Sequence, residues 1–475
     1  MLHAPHALEE VRGSSAPLPP ASRPVLIVLG SVLLSAGLLV LPLWFGALAV
    51  FQYLFLLLAL LIGLILHRAF PILYVGYAWW LWFLVPLVRR LVDYYTGVYQ
   101  SPNIITYVPH LVCGLAVITL WRHRTRLLDK DRFPFVLVLA GLLYGFGIGV
   151  VLSGPVQASY ALLKWVVPVL LGLHVTFYWR DYPALRRCIQ QAFFWGVAVM
   201  GAYAVIQFYL LPPWDVFWMT NVEWRDGSLG LPRPLMVRPF STLDSWGSYS
   251  LVTMAGLLVL FGTATRKHLL AAVPGYAGFL VVVSRAAWGG WLIGLVLMAA
   301  WIKGRMRTRL IGTLVLGALI VLPLLAVPEI SQRVTNRVGT LQNLEDDGSL
   351  KVRMGQYEDV TVRVLTNPVG AGLNFHIYRW DSGFLVIAHQ LGWPGMLLLT
   401  IGLVLLVRLL WQSRRRTRDS FIAISTAIAM VMLVMLVFTN SLPDATGTVF
   451  WCFSGLTLAG YRYHRAQEAE AAAEG

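Results

Sequence analysis

The sequence predicts an all-α, polytopic integral membrane protein of about 12–14 transmembrane helices, with a large external loop before the last three helices. Three observations carry this expectation. Apolar residues fill 58% of the 475 positions and charged residues only 12%, with a mean hydropathy of +0.70, and that much apolar area exceeds what a soluble globule hides. Apolar windows of ~17–25 residues, the length that crosses a ~30 Å hydrocarbon layer, recur from Val25 to Tyr461. The basic residues cluster in short loops between those windows.

Taken in order, residues 1–23 hold no apolar core and read as a cytoplasmic tail rather than a signal peptide. An N-terminal bundle follows over 24–211, with spans at 25–43, 46–66, 71–88, 104–121, 133–152, 160–178 and 189–211. An external loop over 212–246 leads to helices across 247–327, with spans at 247–263, 267–283, 286–302 and 308–327. A large periplasmic loop over 328–383 precedes the C-terminal helices of 384–461, with spans at 384–410, 420–439 and 446–461, and a cytoplasmic tail over 462–475. Within the large loop, MGQYEDVTVRVL has the pattern of an amphipathic helix, and Asn367-Pro368-Val369-Gly370-Ala371-Gly372 that of a turn whose glycines admit close backbone approach. Cys113, Cys188 and Cys452 lie in or beside apolar segments at no metal spacing and read as packing residues.

The net charge of +15 is topological and does not point to nucleic acid. Placing both termini in the cytoplasm puts WRHRTRLLDKDR, WRDYPALRR, KGRMRTR and QSRRRTR inside, where basic loops are retained and meet anionic membrane lipid. The arginines left outside need another reason. Arg285 stands in SRAAWGGW where two spans meet, and an ionisable group at that depth is a site candidate, with snorkelling as the plain alternative. Arg238 opens RPFSTLD, which ends at Asp244; an arginine, two hydroxyls and a carboxylate before a helix start suit an anion, and equally a helix cap. Arg89 and Arg90 form an external pair that Asp93 is placed to neutralise. Arg353 and Glu358 lie on the amphipathic segment, His376 in the loop after it, and Asp381 where the chain re-enters the membrane. Lys164, near the start of the sixth span, reads as a surface residue or a further diphosphate contact.

Arginine forks bind phosphate oxygens bidentately and stay charged. A polyprenyl diphosphate sugar suits them: its leaving diphosphate needs charge stabilisation, and its acceptor hydroxyl needs a carboxylate or imidazole as base. The sequence contains no HExxH, no P-loop and no GxGxxG after a strand, so no metal and no cofactor is expected.

The order of these features, an arginine with hydroxyls before a span, then SRAAWGGW, then a large loop with NPVGAG and a polar re-entry followed by LGWPGMLLL, resembles the O-antigen ligase and O-antigen polymerase superfamily over Arg238 to Leu399. The resemblance implies a metal-independent, inverting glycosyltransferase of the bacterial inner membrane with its active site facing the periplasm. Its donor is undecaprenyl-diphosphate-linked oligosaccharide, its acceptor another glycan or lipid A core, and a chain-length regulator is a further candidate partner. By position it assigns Arg238 and Arg285 to the donor diphosphate. Ligases carry His-Asn at the re-entry, where this chain has Asp381-Ser382-Gly383, which favours a polymerase of O-antigen or exopolysaccharide with Asp381 as base or sugar contact. The expected catalytic set is therefore Asp381, Arg285 and Arg238, with Arg89, Arg90, Asp244, Arg353, Glu358 and His376 binding substrate. A lipid-linked glycan flippase and a polyprenyl-phosphate-sugar-dependent glycosyltransferase are the alternatives.

Overall fold

The structure is a computed structural model that describes residues 48–101, 103–222, 229–261, 269–302, 348–374, 380 and 382–474, with short pieces between 308 and 335. Among the described residues there is no β-strand. In chain order come α1 (Leu48–Ala69), α2 (Pro71–Thr96), α3 (Val108–Gly114), α4 (Ala116–Arg122), α5 (Phe133–Ser153), α6 (Pro155–Phe177), α7 (Tyr182–Tyr209) and the short α8 (Pro213–Asn221). The second half holds α9 (Trp246–Leu260), α10 (Leu269–Val281), α11 (Arg285–Trp301), α12 (Gly348–Thr366), α13 (Gly383–Arg416), α14 (Ser420–Met435) and α15 (Asp444–Glu474). Among the described residues, seven helical stretches are long and apolar enough to cross a bilayer, and four shorter apolar helices accompany them. The protein is an all-α, multi-pass membrane protein.

Proline and glycine punctuate these helices as their geometry requires. Pro71, Pro155 and Pro213 open α2, α6 and α8, where the missing N–H has no helical partner to lose. Gly97, left-handed at φ 68°, closes α2. Helix contacts use small residues, because apolar side chains gain nothing by leaving lipid for each other and close backbone approach must supply the attraction. Gly172 of α6 thus meets the backbone of Trp451 in α15, and Gly455 meets Gly172 in return.

One membrane helix is broken, and the NPVGAG run mends it. Within α13 Gly392 adopts φ 58° and ψ −169°, with Pro394 two residues on. The break removes the helical partners of the His389 and Gln390 carbonyls and of the Trp393 N–H. The loop supplies all three: Ala371 N–H donates to His389 O at 2.8 Å, Gly372 N–H to Gln390 O at 3.0 Å, and Trp393 N–H to Pro368 O at 2.8 Å. Irregular backbone at membrane depth survives only when protein satisfies it in this way. The loop is then clamped against α5, Leu373 N–H donating to Gly145 O at 2.8 Å, and a Cβ on Gly370 or Gly372 would strike the backbone of Gly392 or Gly149.

Polar side chains gather at two opposite ends of the bundle. At the basic end, Asp419 accepts from Tyr182, Arg186 and His464, Arg132 from the start of α5 bonds Thr176 at the end of α6, and Arg462 reaches Asp131. The other end, called here the recess end, carries Arg89, Asp215, Asp244 and Asp444.

Two boundaries differ from the sequence reading. The span expected at 71–88 continues as helix to Thr96 through Arg89, Arg90 and Asp93, because Arg89 and Asp93 neutralise each other along the helix and Asp215 of α8 neutralises Arg90. The tail expected at 462–475 continues α15 to Glu474, since its Ala, Glu, Gln and Arg are strong helix formers.

Replacing Gly372, at φ 75°, by Ala should cost of order 1–3 kcal/mol through backbone strain and collision. Gly355→Ala, in α12 with nothing near its missing Cβ, should be neutral or stabilising. Thermal unfolding of the two variants in lipid discs, compared with wild type, checks both.

Candidate functional site

The recess end is assembled around a buried arginine. Arg90, in the last turns of α2, is 1% exposed. Its Nη1 donates to Leu243 O at 2.9 Å, its Nη2 to Ser241 O, and its Nε faces Asp215 Oδ1 at 3.2 Å. The guanidinium carbon also stands 4.6 Å from the centre of the Phe240 ring. Asp215 sits in the first turn of α8, where a carboxylate suits the helix dipole. It accepts from Tyr203 Oη at 2.9 Å and Gln207 Nε2 at 2.8 Å. The Gln207 Oε1 in turn receives the N–H groups of Phe240 at 2.9 Å and Ser241 at 2.8 Å.

These bonds hold Ser241, wholly buried, at φ 56°, a left-handed conformation unusual for a residue other than glycine. All five non-glycine residues with positive φ among the described residues, Leu211, Leu235, Ser241, Val283 and Asp444, lie at this end. Strain of that kind persists only where the surroundings over-determine it, and it clusters at functional sites.

The outcome is a recess of about 230 Å³, mouth included, lined by Pro86, Arg89, Arg90, Thr106, Trp218 and Asp244. Arg89 pairs with Asp93 at 3.3 Å and donates to Gln100 O at 2.8 Å, while Asn103 Nδ2 bonds Asp93 Oδ1 at 3.1 Å.

A second polar group faces this one. His110 Nε2 lies 2.7 Å from Asp444 Oδ1, and Lys164 Nζ lies 3.7 Å from Asp444 Oδ2. Tyr107 stacks on Tyr160 with ring centres 4.9 Å apart, and it feels the charges of both Asp444 and Arg89. Burial acts to raise the Asp444 carboxyl, but Lys164 and His110 outweigh it and hold the group below the ordinary carboxylate range. Asp244 is moved the other way. Its side chain opens into the recess, yet the protein walls around it push its carboxyl upward, the Asp444 charge adds to this, and Lys164 and Arg89 oppose it. The two carboxyls therefore feel each other's charge.

Arg238 and Arg285 come together beside it. Arg238 Nε donates to Val282 O at 3.1 Å and its Nη2 to Val283 O at 3.3 Å, with the guanidinium over the Trp246 ring. Those carbonyls belong to the turn that ends at Ser284, immediately before Arg285 starts α11. The helix-cap reading of the 241–244 hydroxyls goes instead to Ser245, whose Oγ accepts from Ser248 N–H at 3.1 Å.

Of the residues singled out in the sequence, Arg89, Arg90 and Asp244 thus meet in one recess, with Arg238 and Arg285 adjacent to its loop. Arg90 holds the wall from behind. Glu358 is exposed on α12. The backbone of Arg353 belongs to α12, but its side chain, like His376 and Asp381, lies outside the described residues. Sequence reasoning did not single out His110, Asp215, Gln207 or Asp444. Asp444 carried the signal used for Asp381, a carboxylate at a membrane boundary; the others gave none. Among the described residues no group of three His, Cys, Asp or Glu is arranged to hold a metal ion. No protein-family model and no curated protein matches the chain.

Arg90→Ala leaves Asp215 buried without its countercharge, a loss of about 3–5 kcal/mol. Arg90→Lys should recover little, because one ammonium cannot serve two carbonyls and a carboxylate together. Limited proteolysis of the loop before α9 and thermal unfolding check both variants against wild type.

Proposed function

We propose that the protein is an inverting glycosyltransferase of the O-antigen or exopolysaccharide polymerase type, using undecaprenyl-diphosphate-linked glycan at the periplasmic face of a bacterial inner membrane. The observation that carries this reading is a recess at one strained end of a membrane bundle that Arg89 and Arg90 line, with the Lys164 charge acting on Asp244 in it and Arg238 tying the turn from which Arg285 starts a helix. Arg90 serves the scaffold. Arg285 begins a helix whose N-terminal dipole adds to its charge. A diphosphate whose lipid tail remains in the bilayer matches such a site in charge.

A second reading, transport of a lipid-linked glycan, draws on the placement of Arg90, His110 and Lys164 on membrane helices rather than on loops.

Purified protein in lipid discs, given undecaprenyl-diphosphate-linked repeat units with and without lipid A core, separates the readings. The expected result is a ladder of polymer without added core. Product formed only with the core makes the protein a ligase. Absence of product, together with movement of a labelled donor across the bilayer of a proteoliposome, makes it a transporter. In the same assay Arg285→Ala should lower transfer by about 10²–10³-fold, the effect of removing one stabiliser of developing charge, and Arg285→Lys should retain part of it.

A further inference from the structure

Four carboxylates stand at the recess end, and three of them are held by neighbouring side chains. Asp93 is held by Arg89 and Asn103, Asp215 by Arg90, Tyr203 and Gln207, and Asp444 by His110 and Lys164. Asp244 has no hydrogen-bonding or ion-pairing side chain within reach among the described residues, and it is the one that opens into the recess. Its backbone, by contrast, is anchored on both sides. Arg90 grips the Leu243 carbonyl before it, and Ser245 caps α9 after it. A strained, doubly anchored loop that presents an unpaired carboxylate gains little stability from that carboxylate; such construction holds a reacting group in place.

We infer that Asp244 is the catalytic base of the transfer, taking the proton of the acceptor hydroxyl while Arg89, in the wall of the same recess, receives the diphosphate leaving group. The inference rests on the glycosyl-transfer reading. The acceptor oxygen gives its proton to a carboxylate oxygen of Asp244 and forms its new bond to the anomeric carbon with the freed electron pair. The bond from that carbon to the diphosphate oxygen breaks, and its electrons leave on the diphosphate. The protonated Asp244 returns its proton to water at the open mouth.

The charged groups that act on Asp244 are Asp444 at the start of α15, Lys164 from α6 and Arg89 from α2, and Arg90 lines the same recess. Confinement by the surrounding protein, and next to it the Asp444 charge, make the Asp244 carboxyl ionise at a higher pH than an ordinary aspartate. The transfer rate should therefore rise with pH along a limb displaced above the usual carboxylate range, because the ionised form is the base.

The test uses the full-length protein in lipid discs. Binding of undecaprenyl diphosphate and the pH–rate profile of transfer are measured for wild type, Asp244→Asn, Asp244→Glu and Asp444→Asn. Asp244→Asn is expected to keep its affinity for undecaprenyl diphosphate, to lose transfer by about 10²–10⁴-fold, the contribution of a positioned base, and to lose the ascending limb. Asp244→Glu should retain a limb. Asp444→Asn should move the limb to lower pH, because a neighbouring negative charge is removed, and this readout decides the matter even if the Asp244 variants do not fold. The inference is overturned if Asp244→Asn keeps a tenth or more of the rate or an unchanged limb, if it loses diphosphate affinity in step with rate, or if Asp444→Asn leaves the limb in place. Wild-type protein that binds undecaprenyl diphosphate but transfers nothing at any pH overturns the glycosyl-transfer reading itself, and the role of Asp244 with it.

Discussion

The guanidinium of Arg90 is removed from water and surrounded by groups that exist, in their observed positions, to receive it. Two carbonyls of the loop before α9, a carboxylate from α8 and an aromatic face meet it at once. A buried charge of this kind costs several kcal/mol in desolvation, and only complete satisfaction offsets the cost. The arginine therefore dictates the path of the loop. Leu243 and Ser241 must turn their carbonyls inward, Ser241 must accept a left-handed backbone, and Gln207 must bridge the loop amides to Asp215. The position of Asp244 follows from these requirements.

A second constraint, the absence of water in the bilayer, shapes the other half of the recess end. Gly392 and Pro394 break α13, and the unsatisfied carbonyls and amide created there are the partners that the NPVGAG run brings. The glycines of that run act as spacers for backbone approach. Their part in the site is to hold α5 and α13 together beneath the loop, not to touch a ligand.

Charge at the recess end divides into two kinds. Arg90, Asp93 and Asp215 are consumed by structure, and their removal would be felt as lost stability. Arg89 and Asp244 line the open recess, and Asp244 and Asp444 are driven in opposite directions by their neighbours. Paired groups whose environments separate their protonation behaviour are the usual arrangement of acid and base chemistry. Arg238 belongs partly to each kind: two of its donors tie the turn before Arg285, so its position also sets that of Arg285.

The amino-acid sequence by itself determined the membrane class and the approximate extent of the apolar helices. Each of these depends on hydropathy and charge summed over neighbouring positions, and transfer from water to lipid is nearly additive along the chain. The same additivity explains why the reading ended a span at residue 88 when α2 runs to Thr96: a hydropathy sum counts Arg90 and Asp93 as exposed charges. Their partners decide otherwise. Arg90 meets Leu243 across 153 positions of sequence and His110 meets Asp444 across 334, separations at which no local pattern announces a contact. Which arginine is scaffold, which carboxylate is left unpaired, and which glycines mend a broken helix were decided by tertiary structure alone, because the energy of a buried charge depends on what folding brings against it.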